Sequence, residues 1–309
     1  MRITSRKRKT NGTRYDRIVD MKELQLIDLY CTVCRHYNST LAAETQRLSN
    51  NFCPKFTDEE CITIYLFGIA EEKFKVKGIH KFIKEYWHDW FPNLPSYQNF
   101  NRRINYLGSV FQNLCSLLLS DSGIDESVKD HLIDSMPIVV AKAKRSGSAK
   151  AAKGLCDKGY CATKKMYYYG VKLHALGQKA YQTLPKMCLM SLSSASENDF
   201  PVGREMLSDV YNIDIYADKM YICKEWADEL AERNIRIFTP VKLRNGQKRL
   251  DSADSYFSAA VSRAKQALES FFNWVQAKTN IQNASFVRSD QGLIAFVWAR
   301  IASLLFFYS

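Results

Sequence analysis

The chain has 309 residues, 46% hydrophobic and 13% aromatic, which is ample for one large core or two domains of ordinary size. Forty-four Lys and Arg against 32 Asp and Glu give a formal charge of +12; nucleic acid and an anionic membrane surface are the two kinds of partner that such an excess favours. Nine scattered cysteines, behind a basic and polar start without an apolar run, exclude a secreted disulfide scaffold and predict reduced thiols in a cytoplasmic protein.

Residues 1–20 read as a basic flexible arm. MRITSRKRKTNGTRYDRI carries seven Lys or Arg and one Asp, a block that suits a solvated tail or a DNA-backbone contact equally. Residues 21–125 read as a helical domain, with apolar residues three and four apart in KELQLIDLYCTVCRHY, DEECITIYLFGIAEEKF and RRINYLGSVFQNLCSLLLS. Thr57, followed by Asp58, Glu59 and Glu60, predicts a helix N-cap with an acidic first turn. In KVKGIHKFIKEYWHDWFPNLPSYQNFNRR, cations alternate with aromatics, Pro92 and Pro95 interrupt, and Ser96 caps a helix running into Arg102 and Arg103. Two short helices around a tight turn fit a helix-turn-helix that meets DNA through these arginines, and they fit an ordinary helical domain too. Cys31 and Cys34, with His36 nearby, and Cys156 and Cys161 are the two local cysteine pairs. A zinc site needs four tetrahedral ligands, and these pairs lie over a hundred residues apart, so plain thiols are expected.

From residue 126 to 309 the texture changes to α/β. HLIDSMPIVVAKA, KKMYYYGVKLHAL and LPKMCLMSLSS predict three strands, and a helix follows over 199–210. NIDIYADK predicts a fourth strand, KEWADELAERN a helix and IRIFTPV a fifth strand. A basic connector, KLRNGQKR, leads into a long helix over 255–278. The last segment, Leu293 to Tyr308, is very apolar but short and interrupted by Arg300, which suits a buried terminal helix better than a membrane span. The order of elements matches an RNase H-like mixed sheet flanked by helices.

Acid placement carries the chemistry. Asp134 sits inside the first strand, in Leu132-Ile133-Asp134-Ser135-Met136, where an ionised carboxylate is costly unless something positive pairs with it. Asp218 ends the fourth strand, and Glu269 lies mid-helix beside an apolar face. Two acids from adjacent parallel strands and one from a crossing helix can converge on a hard divalent cation. Each also has a plain structural use: Asp218 as a helix cap, Glu269 as a partner of Lys265 at i−4, and Asp134 as a local cap or the partner of a buried arginine.

HLIDSMPI, YYYGVKLH, ASENDF, YADKMY, FTPVKLRNGQK and SRAKQALESFF occur in the order found in bacterial insertion-sequence transposases. TDEECITIYLFG and WFPNLPSYQNFNRRIN resemble the N-terminal part of the same enzymes, so the likeness covers roughly residues 20–305. The chain most resembles the "nine-eighty-two" insertion-sequence family of DDE transposases. The resemblance implies that Asp134, Asp218 and Glu269 are the catalytic, metal-binding acids. It implies two Mg²⁺ ions, with Mn²⁺ able to substitute, that clamp an in-line displacement at phosphorus. The partners implied are double-stranded DNA at transposon ends and target, and a homodimer on that DNA, in the cytoplasm at the nucleoid.

Further DNA contacts are expected at Lys172 and Lys219 beside the acids, at Lys242, Arg244, Lys248 and Arg249 in the basic connector, and at Arg263 and Lys265 on the Glu269 helix. Lys172 as a solvated strand residue, His174 as a packed core histidine and the connector as a merely solvated loop remain open. The related Tyr-Arg-Glu-Lys helix places Tyr seven and Arg four residues before the Glu and Lys seven after it. Here Ser262, Lys265 and Gln276 stand there, and Lys265 keeps the charge without the bidentate geometry of arginine. A nuclease without strand transfer, and a non-catalytic DNA-binding or regulatory protein on the same scaffold, are the rival readings.

Overall fold

A computed structural model describes residues 14–45, 54–162, 164–221, 224–243 and 246–308. The expected basic arm lies outside these up to residue 13, and from Arg14 the chain is already helical. Two compact units divide the chain: Met1–Leu118 with Lys278–Asn280 and Arg288–Ser309, and Leu119–Ala277 with Ile281–Val287.

The first unit holds α1 (Arg14–Ser39), α2 (Asp58–Ala70), α3 (Val76–Tyr86), α4 (Tyr97–Tyr106) and most of α5 (Gly108–Asp121). At the start of α2, Thr57 Oγ1 accepts from Glu60 N at 3.2 Å and the Glu60 carboxylate accepts from Thr57 N at 3.0 Å. This reciprocal capping box satisfies two backbone donors that the first turn leaves open. Beyond it α2 is apolar on every side and buried throughout, as a helix at the centre of a bundle must be. Ser96 caps α4 by accepting from Asn99 N at 3.4 Å. The helical periodicity over 102–120 is interrupted at Leu107, between α4 and α5. The segment between α3 and α4, residues 87–96, is longer than the three- or four-residue turn of a helix-turn-helix.

The second unit is built on β1 (Asp130–Lys142), β2 (Asp157–Cys161), β3 (Met166–Gln178), β4 (Lys186–Ser194), β5 (Asp214–Tyr216) and β6 (Arg236–Phe238). Helices α6 (Asp199–Met206), α7 (Lys224–Glu232) and α8 (Ser252–Thr279) complete it. The sheet runs β2-β3-β1-β5-β6, with β4 also on β3. Pairings among β1 to β4 are antiparallel, whereas β1–β5 and β5–β6 are parallel. This is the RNase H-like arrangement. Ile133, Leu176, Ile215 and Ala217 line one face and pack with Leu207, Trp226 and Leu230 from α6, its following turn and α7. Period-two alternation turns Leu132, Asp134, Tyr216 and Asp218 to the other face.

The chain closes with α9 (Asp290–Tyr308), which the sequence reading placed with the catalytic domain. In the structure it packs with α2 and α4 in the first unit. The reason lies in its residues: it is apolar all round, and only a helical core can bury such a surface. Among the described helices it alone is long and apolar enough to cross a membrane, yet most of its residues face inward. Arg300, 1% exposed, donates to Thr279 O at 3.0 Å, Phe296 O at 3.0 Å and Phe74 O at 2.7 Å, so its buried charge is matched by three carbonyls. Cys31, Cys34 and Cys161 are free thiols, the first two in the first unit and the third in the second.

Candidate active site

The register of the parallel pair β1–β5 sets the site. His131 pairs with Ile215 and Leu132 with Tyr216. Asp134 and Asp218 each lie two residues beyond this last pair, so the pleat delivers both to one face at one level. That face meets α8, whose buried positions include Val261, Lys265, Leu268, Phe272 and Val275. Lys265 is the polar member of this stripe and is only 4% exposed. Its Nζ forms ion pairs with Asp218 Oδ1 and, at 3.5 Å, with Asp134 Oδ2. One buried ammonium therefore bridges the two aspartates.

Burial pushes the Asp134 carboxyl up to about 6, with the charges of Asp218 and Asp199 adding to the rise while Lys265 and the Ser135 amide oppose it. The Ser135 amide donates to Asp134 Oδ1 at 2.8 Å and so fixes the carboxylate's orientation. On the opposite side of the strand, Ser135 Oγ donates to Asp199 Oδ2 at 3.2 Å. Lys172 Nζ donates to Asp199 Oδ1 at 2.8 Å and to Glu197 O at 2.6 Å. Lys172, Asp199 and Ser135 thus form a chain of contacts ending at Asp134. His174, opposite Ser135 in the register, is fully buried and hydrogen-bonded through Nε2 to Ser193 Oγ at 2.8 Å. Burial drives its imidazole down to about 4, so it is neutral near pH 7. Tyr221 is 2% exposed, with a hydroxyl that has no hydrogen-bond partner among the described residues. Burial first, then the charges of Asp199, Asp134 and Asp218, push that hydroxyl up. The Tyr221 ring rests against Gly203 of α6, where a Cβ would lie 2.6 Å from Cε1.

Glu269 stands one turn beyond Lys265 on α8 and is exposed. Among the described residues no three His, Cys, Asp or Glu side chains are gathered closely enough to hold a metal ion. The structure brings Asp134 and Asp218 together around a cation and leaves Glu269 outside that contact. The donor set nevertheless suits a hard divalent ion. Two carboxylates converge on one positive charge, and the inner one is costly to ionise without a cation beside it.

A family model described as a transposase DDE domain matches residues 125–287. The chain belongs to the DDE transposases. Comparison with curated proteins and with solved structures gave no match. DDE transposase domains typically use divalent metal ions, and a transposase acts on DNA.

The cations expected to meet that DNA are placed differently in this transposase. Lys219, Lys242, Lys248, Arg249 and Arg263 are exposed, and Arg244 lies outside the described residues. Lys265 and Lys172 instead face carboxylates inside the fold. In the first unit Arg102 is exposed, while Arg103 turns inward onto Asp58 at 2.5 Å, onto Phe56 O and over the Phe56 ring. Asp199 and Tyr221 were not singled out from the sequence. The only sequence signal for Asp199 is its place in ASENDF, where Asn198 and Asp199 read as an ordinary helix start.

Proposed function

We propose that this transposase cuts DNA at the ends of its element and joins the freed 3′ ends to target DNA, with Asp134, Asp218 and Glu269 as the catalytic acids. The observation that carries this reading is the convergence of Asp134 and Asp218, from parallel-paired strands, on a single cation. Lys265 and Glu269 share a face of α8 one turn apart, so the helix that brings Lys265 onto the pair carries Glu269 alongside.

In the cleavage step, a water oxygen bonds to phosphorus as the bond from phosphorus to the 3′ oxygen breaks, which leaves a 3′-OH. In the joining step, that 3′ oxygen attacks a target phosphodiester and a target 3′ oxygen leaves. Bound Mg²⁺, as a pair of ions with Mn²⁺ able to substitute, would supply Lewis-acid activation of the attacking oxygen and charge stabilisation at the leaving one. Asp134, held in orientation by the Ser135 amide, would hold the metal together with Asp218 and Glu269. Lys265 balances the carboxylate charge in the metal-free protein. Neither step forms a protein–DNA covalent bond, so no nucleophilic side chain is required.

The remaining parts follow from the same reading. Residues 126–287 hold the catalytic fold, the helical unit grips double-stranded DNA, and two copies pair the transposon ends in the cytoplasm at the nucleoid. Kinship with the "nine-eighty-two" group rests on the motifs alone. The test incubates the full chain with labelled duplexes from both ends of its element, a supercoiled target and Mg²⁺. Joined products support the proposal. Cleavage without joining makes the chain a nuclease, and neither product in Mg²⁺ or Mn²⁺ leaves a binding protein.

A further inference from the structure

The segment that links β1 to β3 is unusually basic. Across residues 142–165, eight Lys or Arg stand against one Asp, a net +7 out of the chain's formal +12. All eight cations are exposed. The single acid, Asp157, is half-buried and accepts from Ser196 N at 2.7 Å and from Ser196 Oγ.

Two aromatic side chains stand on the same surface. Tyr160 on β2 and Tyr167 on β3 are direct cross-strand partners, 53% and 56% exposed. Their ring centroids are 5.0 Å apart at an interplanar angle of 56°. Lys158 Nζ lies 4.7 Å from the Tyr167 centroid. A cross-strand tyrosine pair stabilises its own hairpin, but that use accounts neither for rings left half open nor for the Lys158 ammonium set over one of them. Exposed aromatic faces set in a positive field are what an unstacked base and its phosphates require together.

We infer that the β2–β3 hairpin is a DNA-binding surface on which Tyr160 and Tyr167 stack an unpaired base while Lys150, Lys153 and Lys158 contact the flanking phosphates. The inference rests on the DNA-processing reading above. It adds a place for DNA whose bases have left the duplex, separate from the carboxylates that would act on the phosphodiester.

The test is equilibrium binding of the full chain to a fluorescein-labelled oligothymidylate and to a perfect duplex of equal length, in EDTA so that no chemistry occurs. Tyr160→Ala with Tyr167→Ala should weaken oligothymidylate binding roughly tenfold or more and leave duplex binding within about twofold, since stacking is available only to unpaired bases. Tyr160→Phe with Tyr167→Phe should retain the wild-type preference. Lys150→Gln, Lys153→Gln and Lys158→Gln together should make the salt dependence of oligothymidylate binding shallower by about 2 in the log–log slope. Photocrosslinking of 5-iododeoxyuridine DNA to the wild-type chain should map to Tyr160 or Tyr167, a readout that needs no variant to fold. If the folded Ala variant binds oligothymidylate as wild type does, or crosslinks map only elsewhere, the inference is wrong and the carboxylate reading stands. If the wild-type chain binds neither DNA, both fall.

Discussion

Asp134→Asn removes the charge that the fold finds hardest to hold, and its effect can be worked out with its sign. The folded carboxyl titrates near 6 against an ordinary value of 3.8. Between those values the folded state binds more protons than the unfolded one, so the ionised form costs stability as pH rises. A shift of about two units corresponds to roughly 3 kcal/mol, fully present above pH 6 and absent below about pH 4. The asparagine keeps the shape without the charge. In EDTA, urea unfolding at pH 8 should therefore show Asp134→Asn more stable than wild type by about 2–3 kcal/mol, with the two curves converging near pH 4. Mn²⁺ should reverse the order by stabilising only the wild type through binding. A variant that is less stable at pH 8, or a difference that does not change with pH, would refute the assignment of a strained, cation-seeking carboxylate.

Three further outcomes follow from neighbouring residues. Lys265→Met leaves the aspartates without their ammonium; metal-free stability at pH 8 should fall by about 3 kcal/mol and recover towards pH 4 as Asp134 protonates, read by the same titration. His174 is buried neutral, so its contribution is present above pH 6.5 and lost as pH falls towards 4; His174→Phe should remove an acid-side loss of up to about 3 kcal/mol. This runs against the Asp134 effect in the same pH window, and only difference curves between variant and wild type separate them. Gly203→Ala drives a methyl into the buried Tyr221 ring and should cost about 1–3 kcal/mol in thermal unfolding; an unchanged melting temperature would show that α6 can move aside.

The alternation of short apolar runs with helical ones made the RNase H-like order legible, and the caps at Thr57 and Ser96 form as their local chemistry requires. The two aspartates were legible for the same reason, because an acid inside or ending an apolar strand has few affordable uses. What stayed hidden depended on distance or on weak local signals. β2 carries Lys158 and Gly159, poor strand formers, and it pairs only because β3 is there to receive it. Amphipathic reasoning turns a lysine outward, so the burial of Lys265 follows from Asp134 and Asp218, far away in sequence. The grouping of α9 with the first unit depends on a core assembled from the other end of the chain. Glu269 was placed by resemblance and by its helix, and the structure adds only its nearness to Lys265 along α8.

That makes Glu269 the point of greatest leverage. The single-turnover cleavage rate of Glu269→Gln on labelled element-end DNA in Mg²⁺ tests the claim of a three-carboxylate metal site most directly. With folding checked by circular dichroism, the account predicts a loss on the order of a thousandfold, the equivalent of several kcal/mol of transition-state stabilisation. Cleavage at the wild-type rate would contradict it.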